Sequence, residues 1–184
     1  MIKISSFITH YSRGEPFRSI TSVGQENWAE IIKDLNETNA WGLSRFSDPN
    51  YLEDRLIAEK KMRKEFISKG GKPELDHPIY FFLGRHKGFE SHKSNVGYAI
   101  NLKDILKDSV SFTYGDSMLS FIDKNRLLSG QKYQNSLCGR IYKVDDLVNI
   151  FNHADFPKES ALNIEAQLWV LPKKEIVKSL DYFL

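Results

Sequence analysis

The residue types best able to do chemistry fall in a few short stretches. The first is FITHYSRGEPFRSITS, residues 7–22, which gathers His10, Tyr11, Ser12, Arg13, Arg18, Ser19, Thr21 and Ser22 around a glycine and a proline. It opens like a strand and turns into a polar, turn-rich segment. Hydroxyl and guanidinium donors in such a loop suit a phosphate or a ribose. Successive strand residues point to opposite faces, so one of His10 and Tyr11 can enter a cleft while the other packs. The alternative for His10 is a half-buried histidine with its hydrogen bonds satisfied.

The second stretch is NYLEDRLIAEKKMRKEFISKGG, residues 50–71, which reads as one long helix ending at Gly70-Gly71. On a helical wheel Leu52, Leu56, Met62 and Phe66 form an apolar stripe, and Arg55, Glu59 and Arg63 fall on the same stripe at i, i+4 spacing. Charged groups on a core-facing stripe need partners. Either they form an internal Arg-Glu-Arg ladder, or the stripe lines a cleft where an arginine holds a pyrophosphate or activates a target.

The third stretch, HPIYFFLGRHKGFESH, residues 77–92, joins an aromatic run to His77, Arg85, His86, Lys87 and His92. The histidine spacing fits no metal site, and with one cysteine in the chain no structural metal is expected. The aromatic run reads as core, and GRHKG as a substrate loop. In the fourth stretch, NIEAQLWVLP, strand alternation places Glu165 with Gln167 and Trp169, opposite Ile164, Ala166, Leu168 and Val170. The second set is the expected core face. Glu165 is then either a cleft carboxylate or an ordinary exposed strand glutamate.

These residues must be positioned by regular elements. KISSFITHY reads as a first strand, and QENWAEIIKDLNET as a helix with Trp28, Ile31, Ile32 and Leu35 on one side. AWGLSRFSDP is a loop, and Asp48-Pro49 opens the long helix. HPIYFFLG, NVGYAINL, SVSFTYGD and IEAQLWVLP read as strands, GRIYKV as a short strand, and DDLVNIFNHA as a short helix. Helices come early and strands dominate later, which predicts α+β.

The chain has 184 residues, 41% of them apolar, enough for one globular domain spanning 1–184. The net charge of +2 does not require a nucleic-acid partner. Charge is nonetheless clustered: Arg55, Lys60, Lys61, Arg63, Lys64, Lys69 and Lys72 face only Glu59 and Glu65 between residues 55 and 72. That run is either a solvated helix face or a phosphate footprint. Cys138 is the single cysteine, which fits a reducing cytoplasm, and neither a signal peptide nor a membrane span is expected.

Taken in order, Ile8-Thr9-His10, the arginine-bearing helix, HPIYFFLGR, SFTYGD and IEAQLWVLP resemble the ADP-ribosyltransferase superfamily, most closely the DarT-type toxins that modify nucleic acid. The resemblance runs from Phe7 to about Ile176. It departs from the family at Ile79, at Tyr114-Gly115-Asp116, and at Gln167 and Trp169. It implies a split β-sheet core with N-terminal helices, and NAD as a substrate without a metal. It also implies NAD contacts from His10, Tyr11, Ser12, Arg18, Ser19 and Tyr80, a catalytic Glu165, and a functional arginine at Arg63 or Arg55. Lys60, Lys64, Arg85 and His86 would hold single-stranded DNA or RNA, and a neutralising antitoxin protein would restrain the enzyme. The alternatives are the same chemistry on a protein target, an NAD hydrolase, and a non-enzymatic nucleic-acid-binding module using the Arg55–Lys72 patch.

Overall fold

The computed structural model describes residues 4–37, 48–122, 136–156 and 164–183. Strand β1 (Phe7–Ser12) leads through 3-10 turns at Ile20–Ser22 and Gln25–Asn27 into helix α1 (Trp28–Glu37). Helix α2 (Tyr51–Ser68) comes next, followed by β2 (Ile79–Leu83), α3 (Lys87–Glu90), β3 (Val96–Asn101) and β4 (Val110–Thr113). The short helices α4 (Ser117–Phe121) and α5 (Leu147–Asn152) precede β5 (Glu165–Leu168) and β6 (Lys178–Ser179).

The architecture is mixed α+β, as the order of elements predicts. The strands form one antiparallel sheet in the order β4-β5-β2-β1-β3-β6. It is not divided into two separate sheets. Strands β1 and β2 pair only at Ile8↔Leu83 and Thr9↔Phe82, and β3 and β6 only at Tyr98↔Ser179 and Ala99↔Lys178, whereas β1 and β3 pair from Phe7↔Asn101 to Ser12↔Val96.

The long helix ends where its glycines predict. Gly70 adopts φ +82°, its N–H donates to Ile67 O, and Gly71 N–H donates to Phe66 O, each at 2.9 Å. That paired C-terminal closure needs a left-handed residue, which glycine supplies without strain. The start differs slightly: Asp48 Oδ1 accepts from the N–H of Asn50 at 2.9 Å, and the helix proper begins at Tyr51.

One sheet face carries the main core. Ile8, Ile79, Phe81, Ile100, Val110, Phe112, Ala166 and Leu168 pack there with Leu147, Ile150 and Phe156. The other face lies under α2, where Met62 and Phe66 meet Trp169 and Ile141. This corrects the expectation for β5, because both of its faces are buried. Gln167 and Trp169 are each 0% exposed. Gln167 is tolerated because Ser111 donates to its Oε1 and its Nε2 donates to Thr113, each at 3.0 Å. The Trp169 indole N–H donates to Ser111 Oγ at 2.9 Å.

Other differences are small. GRIYKV contributes an isolated bridge, Phe112↔Tyr142, rather than a strand. Helix α3 begins inside the GRHKG segment, and β6 has no sequence signal that separates it from a loop. Most of AWGLSRFSDP, residues 40–47, lies outside the described residues, as does the side chain of Leu35. Among the described residues no helix is long and apolar enough to cross a membrane.

Candidate active site

The pairing of four strands places Thr9, Phe82, Glu165 and Thr113 in one row across the sheet, on the face that α2 covers. Glu165 stands at the first position of β5. Its Oε2 accepts from the backbone N–H of Ser117, at the start of α4, at 2.7 Å. Burial, and next the charge of Asp116, push its carboxyl up to about 7, while Arg55 and the Ser117 N–H pull the other way. Such a group exchanges protons near neutrality.

Arg55 reaches this region from α2. Its guanidinium lies over the Tyr80 ring, 4.0 Å from the ring centre, and Nη1 donates to the Tyr51 hydroxyl at 2.9 Å. A planar guanidinium stacks on an aromatic face in a way a lysine ammonium cannot. Its Nε lies 3.4 Å from Glu59 Oε1, but at an angle that leaves this buried N–H without a hydrogen bond. A buried, unsatisfied cationic donor beside a proton-exchanging carboxylate is unusual among packing arrangements.

Glu59 is 1% exposed. Thr21 and Tyr80 donate hydroxyl hydrogen bonds to its Oε1, each at 2.9 Å, and His77 Nδ1 meets its Oε2 at 2.7 Å. Ser19 Oγ lies 2.7 Å from Thr21 Oγ1, so the polar turn after β1 is tied to this glutamate. Burial holds the Tyr80 hydroxyl well above its ordinary pKa, so it stays a proton donor.

The structure separates several residues that the sequence grouped. Arg55, Tyr80 and Ser19 join the region of Glu165 and Glu59. Arg63 does not, because its Nε donates to Leu75 O at 3.3 Å and its Nη2 lies 3.6 Å from Asp76. The expected Arg-Glu-Arg ladder is therefore an Arg55–Glu59 pair alone. His10 shares the opposite face of β1 with Ile8, away from the row that holds Glu165. It is 8% exposed and burial lowers its pKa. The Phe17 N–H donates to Nε2 at 3.1 Å, so the proton sits on Nδ1, which donates to Tyr80 O at 2.8 Å. Both ring nitrogens are engaged. His10 pins the loop at Phe17, whose φ is +64°, and its ring lies tilted against those of Phe17 and Phe81.

Tyr11 packs against α3 instead. Its hydroxyl donates to Glu90 at 2.9 Å and accepts the His86 N–H at 2.8 Å, while Arg85 pairs with Glu90 at 2.8 Å. His86 Nδ1 accepts the Phe89 N–H at 3.3 Å. Arg85 and His86 therefore build the α3 corner. Ser12 Oγ donates within its own loop, to Gly14 O and Glu15 O, and Arg18 pairs with Glu15 at the surface. Lys60 and Lys64 are exposed on α2, Lys64 beside an open groove of about 500 Å³ that Lys61, Ser120 and Phe121 also line. Among the described residues no group of three or more His, Cys, Asp or Glu is placed to hold a metal.

Sequence reasoning did not assign Tyr51, Asp116 or Ser117 to the site, and gave Glu59 only a ladder role. Tyr51 was legible in principle, since it stands one helical turn before Arg55. Asp116 had no local signal, because the Thr113↔Glu165 pairing is what brings it to the glutamate. Comparison with protein-family models, curated proteins and solved structures finds no match to this chain.

Proposed function

We propose that the chain is an NAD-dependent ADP-ribosyltransferase of the DarT-like kind that modifies a base of single-stranded nucleic acid. The observation that carries this reading is Glu165, a carboxylate pushed up to about 7 on a polar sheet face, with Arg55 stacked on Tyr80 of the neighbouring strand. In such a transfer the bond between nicotinamide and the ribose breaks, and nicotinamide leaves with the electron pair. A nucleophilic nitrogen of the acceptor then bonds to the ribose carbon and loses its proton. Glu165 faces the positive charge that develops on the ribose and accepts that proton. Arg55, with an unsatisfied Nε and a fixed plane, suits a pyrophosphate or a nicotinamide carbonyl.

Two assignments change with this geometry. Arg55, rather than Arg63, is the functional arginine. His10 shapes the polar loop, and Tyr80 and Ser19 remain candidates for the NAD side. The acceptor strand is assigned to exposed Lys60, Lys61 and Lys64 on the outer face of α2. The non-enzymatic reading needs the whole Arg55–Lys72 run as one phosphate-binding face. In the fold Arg55 is largely turned inward onto Tyr80 and Glu59, Lys69 pairs with Glu65, and Lys72 pairs with Asp108, so the run is interrupted.

The test is incubation of the purified chain with labelled NAD and separate pools of single-stranded DNA, RNA and total protein, beside Glu165→Gln. Label on a nucleic-acid pool that disappears in the variant supports the reading. Label on protein moves the acceptor to a protein target. Loss of NAD without labelling indicates a hydrolase, and no loss of NAD removes the enzyme reading.

A further inference from the structure

Glu59 lies one helical turn after Arg55 and is almost fully buried, yet it is a carboxylate. Its partners come from separate parts of the chain. Thr21 belongs to the 3-10 turn after β1, Tyr80 to β2, and His77 to the segment leading into β2. Hydrogen bonds to both oxygens hold the side chain in one rotamer. The same Oε1 that takes the Thr21 and Tyr80 hydroxyls stands 3.4 Å from Arg55 Nε. Arg55 thus pairs with Glu59 on its own helix and rests on the ring whose hydroxyl Glu59 holds, while its charge also acts on Glu165, which shares the sheet face of Tyr80.

We propose that Glu59 is a positioning residue that clamps Arg55 and Tyr80 in place beside Glu165 and takes a share of the Arg55 charge that Glu165 would otherwise receive. Its consequence for catalysis rests on the transferase reading, whereas its electrostatic effect on Glu165 does not. The groups that act on Glu165 are Asp116 and the Ser117 N–H from the start of α4, and Arg55 from α2. Tyr80 of β2, Tyr51 of α2 and His77 surround the Arg55–Glu59 pair. Of these, Arg55 is the cation that favours ionised Glu165, and Glu59 competes for it. Removing the Glu59 charge directs Arg55 to Glu165. Removing only the Thr21 hydroxyl leaves Glu59 leaning harder on Arg55, which has the opposite effect.

The experiment is a carboxyl-carbon NMR titration of Glu165 in the full chain, for the wild type, Glu59→Gln and Thr21→Val, with labelled-NAD transfer rates on the same samples. In Glu59→Gln the Glu165 midpoint is expected to fall by about one pH unit, and the transfer rate by about tenfold, with the acidic limb of its pH profile moving the same way. In Thr21→Val the midpoint rises by a few tenths. An unchanged midpoint in folded Glu59→Gln, or shifts of the same sign in both variants, overturns the proposal. If Glu59→Gln does not fold, Thr21→Val decides alone, and a midpoint that stays or falls overturns it. Opposite shifts without any transfer by the wild type leave the role of Glu59 standing and remove the transferase reading.

Discussion

The two faces of the sheet are built from the same strands, yet they answer to different physics. On one face Ile8, Phe81, Phe112, Ala166 and Leu168 form a largely apolar core, with His10 at its edge bonded through both ring nitrogens. On the other, Trp169 and Phe66 give way to Ser111, Thr113, Gln167, Tyr80 and Glu165, all tied by hydrogen bonds or facing charge. An apolar face is held by area and fit, and it tolerates any shape that fills the space. A polar face is held by matched donors and acceptors, and it fails when one partner is lost. The second arrangement is costly for stability alone, and it is the face that carries the candidate site.

The largest effect expected from this contrast is on the apolar side. Phe81→Ala opens a cavity in the main core and should cost about 3–5 kcal/mol, read as a lower midpoint in denaturant unfolding. Activity of the fraction that remains folded should be near normal. Glu165→Gln should do the reverse, lowering transfer by about 10²–10³-fold. Its stability effect has a defined sign. A carboxyl held up to about 7 in the folded state, against about 4.3 unfolded, binds its proton more tightly when folded. The wild type therefore loses stability as pH rises from about 4.3 to 7. The variant lacks that loss and should gain on the order of 2–3 kcal/mol on the wild type between pH 5 and pH 8. A flat difference across that range would place Glu165 in water.

Smaller effects sharpen the same line. Gln167→Leu keeps the volume but strands the Ser111 and Thr113 hydroxyls, and should cost about 1–3 kcal/mol. Were it neutral, the polar face would be held by packing like the other. Arg63→Ala removes a partly exposed pair with Asp76 and should change stability by less than about 0.5 kcal/mol. Its transfer rate should stay close to the wild type, whereas Arg55→Ala should lose most activity. Equal losses in the two variants would return Arg63 to the site.

Much of the fold was legible in local sequence. The strand at IYFFL, the helix stop at Gly70-Gly71 and the alternation around Glu165 all follow from short-range rules, because backbone geometry and residue shape act over a few positions. The candidate site was legible only in part. The wheel put Arg55, Glu59 and Arg63 on one stripe, but could not say that Arg63 would turn to Leu75 and Asp76. Nor could it show that the face carrying Glu165 would be roofed by α2.

His10 shows most plainly where local reading stops. A histidine in a polar, turn-rich segment has the right chemistry for a ribose, but the same neighbours also allow a half-buried histidine with its hydrogen bonds satisfied, and the fold engages both of its ring nitrogens. Strand parity alone puts it on the face opposite Tyr11, and the sheet register then puts it opposite Glu165. By itself the sequence determined which segments become strands and helices, that the chain is α+β, and which residues carry chemistry. Only the tertiary structure decided which of those residues meet, because pairing register and helix docking act between segments far apart in the chain. A shift of one residue in register would carry Glu165 from beside Arg55 into the apolar core.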